Sequence, residues 1–428
     1  MCKEWEQLKQ IKNDAKNLNP KAILILDQIQ NYNKKKPKWS ETTIRYCIAW
    51  RFCSPRGYEF PRNDFLKLPC KTTLRKYFGS ENKHLIKERL TSEIKNLNIS
   101  ERVCSLIVDD MAVKESIRYS KAEDRIFGLE TLPKVNTITK KPVIANQLLC
   151  FIIHGISTKY VIPASYYFHK KLSSKELHKL ALEVLQLLAE CQFMVVRIVG
   201  DNHKNNVALF KHFGNGCLQT CIPHPFSVGL KLFFSFDYCH LIKNARNIFL
   251  DHDMASEDGI ISANYLRELA EIQGNLVVKP VRYLTRKHLS PSNLEKMKVH
   301  LAVQIFSTSV TASLRYLATH GYDGVSYFKE CLATVRYLET MFKFFKLHDV
   351  SNKSQHVRQH DHDVAPYTNT SDDRLLWLDQ EFPLYIKGIQ ERSQAMGMRG
   401  LTKETAEAFL FTSKSTHLCI KYLISELN

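Results

Sequence analysis

The feature that most constrains the fold is the order of apolar and amphipathic runs between residues 103 and 237. Three runs with the composition and length of strands come first, with a hairpin break near Gly155: RVCSLIVDD, NQLLCFIIHGI and STKYVIPASYYF. The next run has apolar residues at helical spacing, and Ser173 with Glu176 forms a capping-box pattern at its start. A fourth strand ends at Asp201, a helix follows in NNVALFKHF, and a last strand leads to Asp237. The predicted order is therefore β-β-β-α-β-α-β.

This order predicts the first part of a ribonuclease H-like core, in which an antiparallel three-stranded meander is followed by parallel strands joined by helices. The chain beyond residue 247 is mainly helical, except for a polar stretch without a hydrophobic period. We therefore predict a mixed α/β protein with a partial ribonuclease H-like core and a mainly helical part, and resemblance to a known family implies that this helical part interrupts the core as an insertion. Its predicted parts are a polar helical leader (1–35), a helix-turn-helix-like segment (36–98), the first part of the core (99–247), the insertion (248–346), a linker (347–373) and a helical return segment (374–428).

The segment before the core predicts two short helices with a basic flank. NKKKPKWS supplies the basic break, and Ser40 can cap a helix in SETTIRYCIAWRF. A second helix is predicted in CKTTLRKYFG, with Thr72 or Thr73 as its cap and Gly79 as its end. Such a pair resembles a helix-turn-helix, whose second helix enters the major groove, although a hairpin that serves only packing is the alternative. The stretch between the helices is punctuated by Pro55, Gly57, Pro61 and Pro69. The candidate DNA-binding residues are Lys71, Thr72, Thr73, Arg75 and Lys76.

The charge of the chain favours a polyanionic partner. The 428 residues carry 61 Lys and Arg against 43 Asp and Glu, a formal net charge of +18. Such a surplus is expected of a protein that neutralises nucleic-acid phosphates, and a merely basic protein fits about equally well. The twelve cysteines are scattered, no signal peptide precedes them, and no run approaches the roughly 18 apolar residues of a membrane span. We therefore expect a nuclear or otherwise cytoplasmic protein with reduced thiols and without a membrane partner.

Two acids stand at the ends of strands that neighbour one another in this fold. Asp109 follows the first apolar strand, and Asp201 follows the fourth. Two carboxylates that converge repel each other unless a cation lies between them. Mg²⁺ takes one or two carboxylates and completes its shell with water and phosphate oxygens, and such ions align an in-line displacement at a phosphodiester. A single strand-end aspartate is more often merely solvated, but this pair in a basic chain predicts a Mg²⁺ site.

Several segments, in this order, resemble the P element transposases and their THAP-domain relatives. The core and insertion segments are LIVDDM, IVGDNHKNNVALFK, FSFDYCHLIKNARN and KMKVHLAVQIFSTSV. KWSETTIRYCIAWRFCSPRGYEF with LPCKTTLRKYF resembles the helix-turn-helix segment of that family, and LTKETAEAFLFTSKST resembles the stretch before its terminal catalytic block. The resemblance covers the chain from about Lys36 to its C-terminus.

The resemblance implies a ribonuclease H-like core split by a helical insertion that binds GTP. It also implies an acidic triad that binds Mg²⁺ and performs DNA strand cleavage and transfer. Asp109 matches the first acid, Asp201 matches the second, and Asp110 occupies a position where relatives often carry Glu. His240, in the segment that leads into the insertion, is expected to be a structural hydrogen-bonding group. The residues that contact GTP are not assigned, and a homo-oligomer is left open.

Two departures from the family bear on the expected activity. The THAP zinc finger needs a Cys-x-x-Cys-like pair and a distant Cys-x-x-His, a spacing that does not occur before residue 100. The third acid of the family follows the YLISELN region, whereas this sequence stops at Asn428, and Glu404, Glu407 and Glu426 do not match it. We therefore expect a P element-like transposase, or a remnant of one, with weak or no transposition by itself. The alternative is a non-catalytic DNA- or protein-binding derivative.

Two further clusters carry potential metal ligands. The first combines CLQTCIPH with YCHL, and it offers Cys217, Cys221, His224, Cys239 and His240. Its spacing matches no common zinc finger, so buried thiols are the favoured interpretation. The second lies in the linker and contains His356, His360 and His362, for which a solvated loop is favoured. The sequence contains no Walker A motif, nucleophile elbow or dinucleotide fingerprint.

Overall fold

The computed structural model describes residues 3–17, 19–76, 83–95, 97–120, 125–131, 143–321, 327–350 and 354–427. The chain divides into two compact units, Met1–Glu88 and Arg89–Asn428. Within the described residues, no helix is both long and apolar enough to cross a membrane.

The first unit is helical. Its helices are α1 (Lys3–Lys16), α2 (Pro20–Asn31), α3 (Glu41–Cys53), α4 (Pro55–Asp64) and α5 (Lys71–Lys76), and the division between the units falls within α6 (Lys83–Ile94). Ser40 caps α3 as predicted, because its hydroxyl accepts a hydrogen bond of 3.2 Å from the Thr43 N–H. The predicted cap of α5 at Thr72 or Thr73 is wrong, since the Leu74 N–H already bonds to the Cys70 carbonyl and the helix begins at Lys71. Gly79 lies outside the described residues.

Helix α4 is absent from the sequence prediction because its prolines and glycine indicate breaks. Pro55 occupies the first turn, where the N–H that proline lacks has no intrahelical partner in any case. Ser54 caps the helix by accepting a 3.1 Å hydrogen bond from the Gly57 N–H. Two of the four presumed breakers therefore start the helix, and Pro61 lies inside it.

Helices α3 and α4, together with the segment that leads into α5, share one small core. It consists of Ile44, Cys47, Tyr58, Leu68 and Leu74. The Tyr58 hydroxyl donates a 2.7 Å hydrogen bond to the Pro69 carbonyl, which holds this segment against α4. The core fixes the start of α5 relative to α3, whereas the helix-turn-helix function of these helices stays a prediction.

The second unit contains a six-stranded sheet with the strand order β5-β4-β1-β6-β8-β7. Its strands and those of a small hairpin are β1 (Val103–Ala112), β2 (Arg118–Ser120), β3 (Arg125–Phe127), β4 (Gln147–Gly155), β5 (Val161–His169), β6 (Met194–Gly200), β7 (Cys221–Pro223) and β8 (Lys231–Phe236). Strands β1, β4 and β5 form an antiparallel meander, and β6 and β8 run parallel to β1. Strand β6 follows α7 (Ser174–Glu190), and β8 comes after α8 (Lys204–Phe213). The predicted order is confirmed, and the hairpin and the short edge strand β7 are additions to it.

The insertion follows β8 and is mainly helical, as predicted. Its elements are α9 (Tyr238–Asp251), β9 (Met254–Ser256), β10 (Gly259–Ile261), α10 (Asn264–Gly274), α11 (Arg286–Leu289), α12 (Asn293–Lys296), α13 (Val299–Phe306), α14 (Thr308–His320), a 3₁₀ turn (Tyr327–Glu330) and α15 (Leu332–His348). The long periodic run of the sequence is divided at Ser307, which lies between α13 and α14.

The stretch predicted as a linker, residues 347–373, contains α16 (Gln355–Gln359) and a 3₁₀ turn at His362–Val364. Polar side chains hold it in place. The Lys346 ammonium pairs with the carboxylates of Asp361 and Asp363 at 3.0 and 2.5 Å. The nearly buried Arg374 guanidinium bonds to the carbonyls of this stretch and to Asp372. Residues 361–374 are therefore fixed by buried and half-buried polar contacts that a hydrophobic period does not reveal.

The chain then continues through α17 (Asp373–Leu376), a π-helical turn (Trp377–Glu381), α18 (Phe382–Ala395) and α19 (Lys403–Glu426). Helix α19 covers one face of the sheet: Tyr422 packs on Phe233 with ring centroids 5.6 Å apart. Helix α8 covers the other face, where Phe210 lies 5.1 Å from Phe234. Because Phe233 and Phe234 are consecutive in β8, their side chains must point to opposite faces. The sheet is thus the middle of three layers.

Candidate active site

Three aspartates form one row across neighbouring parallel strands, at the level where β6 and β8 end beside β1. Val108 of β1 pairs with Gly200 of β6, and Gly200 pairs with the last residue of β8. The next residues are Asp109, Asp201 and Asp237. Neighbouring strands lie about 4.8 Å apart, and in-register residues point to the same face. The row of acids therefore lies at the carboxyl ends of the strands, on the face that α19 covers.

Strand β1 continues past the acids instead of ending there, which corrects the sequence prediction. It runs to Ala112 because β4 keeps pairing with it, Asp109 opposite Cys150 and Asp110 opposite Leu149. The parallel partner β6 ends at Gly200. At Asp109, β1 therefore pairs with β4 on one side and has no strand partner on the other. The pairing with β4 fixes the backbone of Asp109.

Asp109 and Asp110 have different surroundings. Asp110 accepts a 2.9 Å hydrogen bond from Nε2 of His169, whose side chain is buried. The Asp109 carboxylate accepts a bond of 2.9 Å from the Asp110 N–H, and no other partner occurs among the described side chains. Asp110 is therefore engaged with β5, whereas Asp109 keeps oxygens available for a cation.

Asp201 is held in one orientation by the residues that directly follow it in the chain. Its Oδ1 accepts a 2.6 Å hydrogen bond from the Asn206 amide and one of 3.1 Å from the His203 N–H. Both donors belong to the first turn of α8 or to the residue that caps it. A Cβ on Gly200 would lie 3.1 Å from the Asn206 side chain, so glycine gives that side chain room. The second oxygen of Asp201 has no partner in the described part of the chain.

Asp237 is the member of the row that the sequence did not assign to a site. It caps α9, because its carboxylate accepts a 3.1 Å bond from the Cys239 N–H and a short bond from Nδ1 of His240. Burial raises its pKa, but the hydrogen bond and charge of His240 outweigh that effect and hold the pKa below its usual range. This hydrogen bond is consistent with the structural role predicted for His240, which stays a prediction. An aspartate at a strand-to-helix junction with a histidine three residues later is the signal that would have indicated this pair.

The acids give this end of the sheet a negative potential. Burial raises the pKa of the Cys150 thiol, and the charges of Asp109 and Asp110 raise it further. A cation between Asp109 and Asp201 would relieve this potential. Carboxylate oxygens with free lone pairs are the donors that Mg²⁺ prefers, so the residues present fit that ion.

The start of α19 lies beside the row. The Asn202 amide donates a 3.0 Å hydrogen bond to the Glu404 carbonyl, which holds the first turn of the helix next to Asp201. In the described part of the chain, no third His, Cys, Asp or Glu joins Asp109 and Asp201 within ligand distance. Glu404 thus comes close through its backbone, and the described site consists of two open carboxylates.

A polar network beneath the row joins the sheet to the insertion. Arg197 of β6 donates hydrogen bonds of 2.8 Å to the hydroxyls of Ser235 and Thr416. Thr416 lies 3.0 Å from Nε2 of His348, whose Nδ1 donates to the Phe344 carbonyl. Burial lowers the pKa of His348 to about 3, so its imidazole is neutral and Nε2 accepts from Thr416. The last helix of the insertion is therefore fixed to the core by these bonds.

The zinc cluster considered from the sequence does not assemble. The described residues contain one group of at least three ligand side chains within reach of one ion, namely His362, Asp372 and Asp373. Burial raises the pKa of Cys239 to about 12 and also raises that of Cys221, so both stay protonated thiols. Burial lowers the pKa of His224 to about 4. The buried-thiol interpretation is wrong for Cys217, which is exposed, and Cys221 and Cys239 are only half-buried.

The candidate DNA-binding residues all belong to α5. The Lys71 side chain is exposed, and the Thr73 hydroxyl lies 3.1 Å from the Cys70 sulfur. The side chains of Thr72, Arg75 and Lys76 lie outside the described part of the chain. The DNA contacts of α5 therefore stay predictions.

Two family models match the chain. Residues 82–214 match the TNP-like RNase H N-terminal domain, and residues 239–360 match the TNP-like GTP-binding insertion domain. The first match contains Asp109 and Asp201, and the second begins within α9. Strands β7 and β8 of the sheet lie between the two matches.

Two curated relatives and one solved structure are similar to the chain. The transposable element P transposase of Drosophila melanogaster is 23% identical over 295 residues, which cover 68% of this chain and 36% of that protein. The DNA transposase THAP9 of Homo sapiens is 22% identical over 351 residues, covering 77% of this chain and 38% of that protein. The chain thus spans little more than a third of each relative. The Drosophila P element transposase strand transfer complex has the same fold, with a TM-score of 0.70 and 19% identity over 98% of this chain and 87% of that chain.

Proposed function

Because this chain belongs to the TNP-like transposase family, with P element transposase and THAP9 as homologues, we propose that it is a transposase core that cleaves and joins DNA strands in the nucleus. The observation that carries the proposal is the row of strand-end acids. Asp109 and Asp201 lie on neighbouring strands, and each has carboxylate oxygens without a partner among the described residues. Strand pairing fixes the backbone of Asp109, and the hydrogen bond from Asn206 orients the Asp201 carboxylate. We assign them as the Mg²⁺ ligands of the site.

The residues of the site would have separate roles in holding and orienting Mg²⁺. Asp109 and Asp201 hold the ion between two rigid strands, so that little movement is needed when DNA arrives. Mg²⁺, when bound, stabilises the charge that develops on the phosphodiester and orients the attacking oxygen. Asn206 and the His203 N–H keep Oδ1 of Asp201 occupied and direct Oδ2 outward. With two open carboxylates in the described site, we expect weak cleavage by this chain alone.

A DNA nicking assay tests the proposal. Supercoiled plasmid is incubated with the full chain in Mg²⁺, in Mn²⁺ or in EDTA, and binding to duplex DNA is titrated against salt in parallel. We expect salt-dependent binding and slow nicking that EDTA abolishes. Salt-dependent binding without nicking in either metal would favour the non-catalytic DNA-binding derivative. Binding without any salt dependence would contradict both.

We further propose GTP as the nucleotide of the insertion, in line with the description of the matching family model. Arg246 of α9 is fully buried and donates to the Lys296 carbonyl and to Asn247, while its second terminal nitrogen has no partner in the described part of the chain. A buried guanidinium without a carboxylate partner is a suitable contact for an anion. Titration with fluorescent GTP should give saturable binding that GTP competes and ATP does not; equal competition by ATP would contradict the assignment.

A further inference from the structure

The first unit carries much of the positive charge of the chain. Residues 1–88 contain 19 Lys and Arg against nine Asp and Glu, so ten of the 18 net positive charges belong to about a fifth of the sequence. Four of these lysines lie within the five residues 34–38, shortly after α2. We define residues 33–38, NKKKPK, as the basic turn; its lysines are Lys34, Lys35, Lys36 and Lys38.

All side chains of the basic turn are exposed. None of its four ammonium groups pairs with a carboxylate of the described residues. Four unpaired cations in one short segment repel one another, at a cost that a bound polyanion would remove. A solvated lysine run usually meets this repulsion by being extended and mobile. In this chain the turn is instead held in a fixed shape.

Buried polar groups hold both ends of the turn. Asn31 is fully buried, and its amide donates to the carbonyl of Lys38 at 2.7 Å while its oxygen accepts from the Lys38 N–H at 3.0 Å. Asp27, also buried, accepts hydrogen bonds from the N–H and the hydroxyl of Ser40 at 2.9 and 2.7 Å. These hydrogen bonds join the end of α2 to residues 38 and 40, so they hold the two ends of the loop together.

Lys67 fixes the first part of the turn through hydrogen bonds to its backbone. Its ammonium donates to the carbonyls of Tyr32 and Lys34, at 3.0 and 2.9 Å. The backbone of Lys67 is itself fixed, because the Gln28 side-chain amide exchanges two hydrogen bonds with its N–H and carbonyl. Pro37 further restricts the backbone of the turn. The exposed lysines therefore project from a braced scaffold.

We propose that the basic turn is a docking surface for the phosphate backbone of DNA, separate from α5. Ordering a segment on binding costs conformational entropy, and a turn that is braced beforehand avoids most of that cost. Lysine is a point charge that neutralises phosphates without reading bases, so the contact positions the DNA and carries no sequence preference. This inference rests on the proposed function, since it specifies where the first unit meets the DNA.

The test compares two triple variants of the full chain with equal loss of charge. Lys34→Ala/Lys35→Ala/Lys36→Ala removes three charges from the basic turn. Lys12→Ala/Lys16→Ala/Lys21→Ala removes three exposed charges from α1 and α2 of the same unit. Each phosphate contact contributes about 0.9 to the slope of log affinity against log salt. We expect the first variant to lose roughly 2 to 3 units of slope and at least about tenfold in affinity, equally for unrelated DNA sequences.

A second pair of variants tests the bracing. Lys67→Met removes the ammonium that holds the turn and keeps all lysines of the turn, while Lys21→Met removes one exposed charge without touching it. We expect Lys67→Met to weaken DNA binding severalfold more than Lys21→Met, with circular dichroism unchanged in both. Equal effects of the two methionine variants would contradict the role of the bracing.

The outcomes separate this inference from the proposed function. If the parent chain binds DNA and the basic-turn variant binds as tightly as the control variant, the docking surface is wrong and the transposase proposal stands. If the variant loses affinity for one sequence only, the turn reads bases, and the backbone assignment is wrong. If the parent chain itself shows no salt-dependent DNA binding, the proposed function fails first.

Discussion

Replacing either strand-end acid by asparagine, Asp109→Asn or Asp201→Asn, is expected to reduce Mg²⁺-dependent nicking by more than about 100-fold. Removal of groups that merely orient a metal ligand costs about 10–100-fold in metal affinity or activity. Loss of the ligand itself should exceed that range, because an amide carries no charge to offset the cost of dehydrating the ion. The measurement is the nicking rate at saturating Mg²⁺ together with the Mg²⁺ concentration that gives half the maximal rate.

Asp110→Asn is the matched control for this prediction. It removes one negative charge at the adjacent position of β1, and the asparagine oxygen can still accept the hydrogen bond from His169. We expect its nicking rate to stay within a few fold of the parent chain. A similar loss in all three variants would mean that overall negative potential matters and that Asp109 and Asp201 are not ligands.

Arg374→Ala is expected to lower the free energy of unfolding of the second unit by about 3–5 kcal/mol, the cost of leaving one member of a buried ion pair alone. Arg374 is 2% exposed and donates to both oxygens of Asp372, at 2.9 and 2.6 Å. It also donates to the carbonyls of His362 and Ala365 and lies 4.1 Å above the Tyr367 ring. The substitution leaves a nearly buried carboxylate and several carbonyls without donors. Urea denaturation measures the change.

Arg315→Ala is the matched control, because Arg315 also makes a two-bond contact with a carboxylate, Glu339, at 3.0 and 2.7 Å. That pair is about half exposed, so the substitution should cost less than about 1 kcal/mol. In an Arg374→Met variant the Asp372 carboxylate is left without its partner, and adding Asp372→Asn removes that charge. Because asparagine can still cap α17, we expect the double variant to recover part of the lost free energy of unfolding. Equal costs at Arg374 and Arg315 would contradict the assignment of Arg374 as the anchor of residues 361–374.

The strand order and the alignment of the first two acids could be predicted because both depend on local signals. Apolar runs of strand length, separated by a capped amphipathic helix, fix the order, and the carboxyl ends of parallel strands must meet at one edge. Asp109 and Asp201 follow from this order alone. The same reasoning misplaced the end of β1, since strand length depends on how far β4 continues to pair, which is not visible within the RVCSLIVDD segment itself.

The contacts that complete the site join residues distant in sequence, so no local period reports them. Arg197 meets Thr416 across 219 positions, and Asn202 meets the Glu404 carbonyl across 202. Helix α4 was missed for a different reason: Pro55 was interpreted as a break, although a proline in the first helical turn favours a start. The bracing of the basic turn depends on buried Asn31 and Asp27, polar residues that sequence reasoning places at the surface.

Iron-mediated cleavage of the polypeptide can locate a metal ion at the strand ends without relying on activity. Fe²⁺ occupies sites of oxygen ligands suited to Mg²⁺, and with ascorbate and peroxide it generates radicals that cut the backbone next to the ion. We expect cuts beside Asp109 and beside Asp201 that excess Mg²⁺ suppresses and that are absent from the Asp109→Asn variant. Cuts confined to residues 362–373, where His362, Asp372 and Asp373 lie together, would contradict a metal site at the strand ends.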